Sequence, residues 1–111
     1  MYAIAIIRYR RPIEEVVAVQ DAHRAYMAEL KTAGTLVASG PLEPRYGGAL
    51  LLRVPDAGAN AALERVRDGD PYVRAGVAQY ELLPWNPTTG RADLDRAAGD
   101  AADGGPDVPA F

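Results

Sequence analysis

Residues 2–9 (Tyr-Ala-Ile-Ala-Ile-Ile-Arg-Tyr) are rich in β-branched and aromatic side chains and predict a strand with no polar face. Tyr2, Ile4 and Ile6 point one way, and Ala3, Ala5 and Ile7 the other. Residues 49–54 (Ala-Leu-Leu-Leu-Arg-Val) form a second, nearly continuous apolar strand. Such strands need cover on both sides, yet the chain offers only two amphipathic helices.

The first helix is expected over residues 12–33, with Pro12 in its first turn, Glu14 and Glu15 complementing its dipole, and Lys31 and Gly34 at its far end. A break near Asp21 is allowed for, with Asp21 capping a second start. Val16, Gln20, His23, Met27 and Leu30 form the inward stripe. Residues 35–39 predict a short strand that stops at Gly40-Pro41, and Gly47-Gly48 reads as a turn. The second helix is expected to be capped by Asp56, to pack through Ala59, Ala62, Leu63 and Val66, and to end at Gly69. One further turn over residues 72–75 and a last strand over residues 77–85 complete the order β-α-β-β-α-β. That order is an α+β, ferredoxin-like arrangement, an antiparallel sheet with both helices on one face. The second face would remain as one apolar patch, which predicts a homodimer through sheet faces, closed like a barrel from two chains.

Residues 86–111 differ in kind. Three prolines, four glycines, five aspartates and mostly alanine as apolar content leave little to offset ordering entropy. The expected division is a folded domain over residues 1–87 and a flexible tail over residues 88–111, with Asp93 to Ala98 transiently helical and Phe111 a possible docking anchor. The net charge of −3 comes entirely from this tail, so the domain is neutral and a nucleic-acid groove is not expected. One histidine and no cysteine argue against a metal site, and no cofactor is expected. No signal peptide and no membrane span are read, and a cytoplasmic location fits the absence of cysteine.

The chemistry concentrates on Gly69-Asp70-Pro71-Tyr72. Proline holds the residue before it extended, so Asp70 is presented by a stiff corner at a helix end. His23, on the inward stripe, can face it. The carboxylate would fix one ring nitrogen and leave the other to take or give a proton. The competing reading is a hydrogen-bonded core histidine beside an aspartate that starts a turn. Ser39, at a strand end with Gly40 and Pro41, is a candidate substrate contact, as are Tyr72 and Arg8; Arg45 also could hold a carboxylate or phenolate. No nucleophile elbow surrounds Ser39.

Several of these features together resemble the YCII-related (YciI-like) family. They are the apolar first strand ending in arginine, His23 with apolar residues through Leu30, and Gly34 before Ala38-Ser39-Gly40-Pro41-Leu42. Gly47-Gly48, the run Asp70-Pro71-Tyr72-Val73-Arg74-Ala75-Gly76, and Pro84-Trp85-Asn86-Pro87 complete the set. The resemblance covers residues 1 to about 87. It implies a dimeric α/β barrel with an active site on a histidine and aspartate pair, here His23 and Asp70, with Ser39 at the pocket edge. From dehydrochlorinase activity within the family it implies acid/base elimination on a small, possibly aromatic, substrate. Family members often carry Arg-Pro shortly before the histidine, where this chain has Gln20-Asp21-Ala22. Three functions follow as expectations: a cofactor-independent lyase or hydrolase using the pair for elimination, isomerisation or hydrolysis; a non-catalytic module binding a small ligand or partner; and a small monooxygenase-like barrel protein.

Overall fold

A computed structural model describes residues 1–103, with side chains through residue 99. The elements run β1 (Tyr2–Tyr9), α1 (Ile13–Val17), α2 (Gln20–Thr32), β2 (Leu36–Pro41), β3 (Gly47–Arg53), α3 (Ala59–Gly69), α4 (Pro71–Arg74), β4 (Ala78–Trp85) and α5 (Arg91–Asp103). The four strands form one antiparallel sheet in the order β2-β3-β1-β4. This is the expected α+β, ferredoxin-like arrangement.

Strand alternation decides what is buried. Ala3, Ala5 and Ile7 of β1 and Leu50 and Leu52 of β3 lie under the helices, packed in one core with Val16, Met27, Leu63 and Val66. Their neighbours on the other side, Ile4, Ile6, Ala49 and Leu51, are only half-buried. Leu83 and Trp85, which pair with Ile4 and Tyr2, are 40% and 43% exposed. The second sheet face is therefore apolar and largely uncovered. Its one closed end lies at Tyr2, which is buried despite pointing that way. The Tyr2 hydroxyl donates to Asp95 of α5 at 2.7 Å, and the Arg53 and Arg91 guanidinium groups lie over its ring.

Residues 91–103, part of the segment expected to be a flexible tail, thus form a helix that packs on the domain. The alanines that looked too small to order the segment are the best helix formers, and Ala98 is buried. The remainder of that expectation, including Phe111, lies outside the described residues.

Local boundaries also differ from expectation. The first helix breaks at Ala18-Val19, before Asp21, and α2 begins without a side-chain cap. Gly40 and Pro41 continue β2, paired with Ala49 and Gly48; at a sheet edge, proline's missing N–H is tolerated. Gly47-Gly48 is strand rather than turn, opposite Arg8 and Ile7 of β1. A Cβ on Gly47 would fall 1.9 Å from the Ile7 carbonyl oxygen, so close backbone approach excludes any side chain there. Asp56 does not cap α3: its carboxylate takes the Met1 ammonium at 2.7 Å, and Gly58 in the left-handed region (φ +72°) precedes the helix. No described helix is long and apolar enough to cross a membrane.

Candidate active site

Asp70 joins two helices. It ends α3 in an extended conformation and caps α4, accepting the Tyr72 backbone N–H at 2.9 Å through Oδ1. Pro71 occupies the first turn of α4, where its missing N–H costs nothing. The corner turns the carboxylate inward onto His23, whose Nδ1 lies 2.9 Å from Oδ1 and 3.0 Å from Oδ2. Both residues are fully buried. Tyr80 of β4 donates its hydroxyl to Oδ2 in a short bond. An ionised carboxylate only accepts hydrogen bonds, so Nδ1 carries the shared proton and Nε2 is the nitrogen turned away from Asp70.

Aromatic rings form the walls. The Tyr72 ring stacks on the imidazole, with centroids 4.0 Å apart and planes at 9°. Tyr9 meets the Tyr72 ring edge-on at 6.0 Å. Tyr26 donates to the Val66 carbonyl at 2.8 Å and fills the space beside Gly69, where a Cβ would come 2.6 Å from its hydroxyl. Arg45, in the loop between β2 and β3, donates through Nε to the Tyr9 hydroxyl at 3.1 Å and through Nη2 to Gln20 at 2.6 Å. Gln20 opens α2, and its side-chain oxygen accepts from Arg45.

Burial raises the pKa values of Tyr72, Tyr80 and Tyr26. Tyr72 is pushed up to about 12 by desolvation and by Tyr9, with Arg45 opposing. Tyr80 is raised, by burial first and then by the Asp70 charge and hydrogen bond. Burial likewise raises Tyr26.

The structure brings His23, Asp70 and Tyr72 together. It does not bring the other candidates to them. Arg8 projects from the opposite sheet face, because alternation places it with Ile4 and Ile6, and it pairs there with Glu81 at 2.9 Å. Ser39 lies on edge strand β2 beside Leu50, with no hydrogen bond to the pair among the described residues. Together with Ile4, Ala38, Ala49 and Trp85 it borders a shallow hollow of about 360 Å³. Gly40 and Pro41 belong to the same edge strand. Tyr80 and Tyr9 were not singled out from the sequence. Their signal was alternation: Ile7 is buried, so its partner Tyr80 and its second neighbour Tyr9 share the helix-covered side. Among the described residues no group of three His, Cys, Asp or Glu converges to hold a metal.

The model of the YCII-related domain matches residues 1–86. The chain belongs to the YCII-related domain family. No curated protein matches it by sequence. Among solved structures it is similar to 5-chloro-2-hydroxyhydroquinone dehydrochlorinase from Burkholderia phenoliruptrix AC1100, in complex with 2,5-dihydroxybenzoquinone. The two share 21% identity over 76% of this chain and 93% of that one, with a TM-score of 0.59. The likeness establishes a common fold, and α5 lies beyond the matched family domain.

Two outcomes are expected. Asp70→Ala leaves two buried donors and the half-buried Tyr80 hydroxyl without an acceptor and should cost roughly 3 kcal/mol or more in urea unfolding, whereas Asp70→Asn, which keeps one acceptor oxygen, should cost less. Stability should also fall in alkali. Unfolded tyrosine ionises near about 10, so the stabilisation from keeping Tyr72 neutral is complete below that pH and is lost as pH rises through about 12. Urea midpoints should drop across that window, and more weakly in Tyr72→Phe; a midpoint that is flat there would contradict the buried environment of these rings.

Proposed function

We propose that the protein is a cofactor-independent acid/base enzyme acting on a small substrate, aromatic rings included. His23 transfers the proton and Asp70 fixes its tautomer. The carrying observation is the buried pair itself, a carboxylate held by the Tyr72 N–H and the Tyr80 hydroxyl and directed at Nδ1. A carboxylate so fixed stabilises the imidazolium that forms when Nε2 takes a proton. In elimination, Nε2 takes the substrate proton as the leaving group departs with its electron pair. Membership of the YCII-related family and the likeness to a dehydrochlorinase favour elimination over isomerisation or hydrolysis.

The test is chloride release from 5-chloro-2-hydroxyhydroquinone, with exchange of ring protons into deuterated water followed on the same compound by NMR. The wild type should show one or both. His23→Gln and Asp70→Asn should lose about 10²-fold or more of the rate, with folding checked by circular dichroism. Full activity in folded His23→Gln would sink the assignment. The second reading, a module that binds a small ligand without turnover, is favoured by the complete burial of both partners; inactivity of the wild type in both assays would select it.

The uncovered sheet face is proposed to pack against a second copy in a reducing, cytoplasmic setting. Ile4, Ile6, Leu51, Leu83 and Trp85 supply a contiguous apolar surface, and a domain this small gains much from burying it. Light scattering at micromolar concentration should give twice the chain mass, and Leu83→Lys should shift it toward the monomer. A wild-type monomer would remove the paired-sheet arrangement.

A further inference from the structure

The cation nearest the site differs from the one the sequence favoured. Arg8 is neutralised by Glu81 on the far face of the sheet. Arg45 makes no ion pair among the described residues, and its partners are neutral: the Gln20 amide oxygen, the Tyr9 hydroxyl and the Tyr9 ring, whose centroid lies 5.8 Å from the guanidinium carbon. Three contacts from α2 and β1 therefore hold a loop guanidinium in one place. Two of its donor groups are engaged, and a guanidinium has five N–H donors in a fixed fork.

That fork lies beside the site, against Tyr9 and Tyr72. Tyr9 stands edge-on to Tyr72, which stacks on His23, so a single tyrosine separates Arg45 from the imidazole's stacking partner. The Tyr72 hydroxyl is buried with the Arg45 guanidinium beside it, outside regular hydrogen-bond geometry. Arg45 lies close enough to it to lower its pKa against the larger effect of burial. Like any tyrosine, Tyr72 is protonated at neutral pH, so its hydroxyl can donate to a ligand oxygen.

The geometry points to Arg45 and the Tyr72 hydroxyl as an anion subsite that selects small substrates bearing a carboxylate, phenolate or enolate oxygen and sets that oxygen beside His23. This rests on the reading of His23 and Asp70 as the proton-transferring pair and adds the substrate's charge to it. A planar fork offers such an oxygen two parallel hydrogen bonds, which fix orientation as well as position. An aligned ring would present its reacting carbon to the imidazole in one pose rather than many.

Two probes of one ring skeleton test it on the full chain: 2,5-dihydroxybenzoquinone, anionic at neutral pH, and its neutral dimethyl ether, 2,5-dimethoxybenzoquinone. Binding is followed by calorimetry and by the ring-proton signals of the single histidine. The wild type should bind the anion at least tenfold tighter than the ether, with affinity falling as salt is added. Arg45→Met should weaken the anion by tenfold or more and leave the ether unchanged, and Arg45→Lys should restore part of the loss. Tyr72→Phe should weaken the anion while keeping its salt dependence. Equal anion affinity in wild type and Arg45→Met overturns the subsite, as does an anion that binds no better than the ether or does not bind at millimolar concentration. His23→Gln separates the two readings: it should retain anion binding while losing proton transfer. The subsite can therefore fail with the acid/base pair intact, and the pair can fail with the subsite intact.

Discussion

The buried Asp70 carboxylate is the interaction on which the rest of the molecule depends. It collects His23 from α2, the Tyr72 N–H from α4 and the Tyr80 hydroxyl from β4, so three elements share one acceptor. A charge taken out of water at this depth is tolerated only when its lone pairs are satisfied. Here they are satisfied by groups that also fix the helix corner and the last strand. The bonds that keep the carboxylate inside are the same bonds that aim the imidazole.

The sheet supplies the platform. Alternation along β1 divides the molecule into a side where Ala3, Ala5 and Ile7 meet helices and a side where Ile4 and Ile6 do not. On the covered side α2 packs against β2 and α4, which sets His23 beside the corner that follows α3. Gly47 has a related role in the sheet itself, since no Cβ fits against the Ile7 carbonyl. Among the described residues the other side is closed at Tyr2, by a helix that lies beyond the family domain.

Much of this was legible because the signals were strong and local. The apolar runs of β1 and β3, the stripe of α2 and the Asp70-Pro71 corner each follow from one short stretch of sequence, and together they placed His23 opposite Asp70. What escaped depended on partners far along the chain. Pro41 remains in a strand because β2 lies at an edge, which only the full sheet order reveals. Asp56 was drawn from its helix by the Met1 ammonium, brought beside it by the pairing of Tyr2 with Arg53. Tyr80 carried no motif, and its role came from sharing a face with Ile7. Composition pointed only to a transient helix at Asp93 to Ala98; what holds the helix at residues 91–103 on the domain is distant in sequence, the Tyr2 hydroxyl on Asp95.

One consequence concerns the triplet Gly69-Asp70-Pro71, whose members answer to three unrelated demands. Gly69 is restricted by volume, beside the hydroxyl with which Tyr26 holds the Val66 carbonyl. Asp70 is restricted by charge and Pro71 by backbone direction. No single substitution relieves more than one of these demands, and each acts on folding before any ligand arrives. Descendants of such a chain would therefore drift slowly at these positions whatever chemistry they kept or lost, so retention of the triplet among them would record the route of the chain.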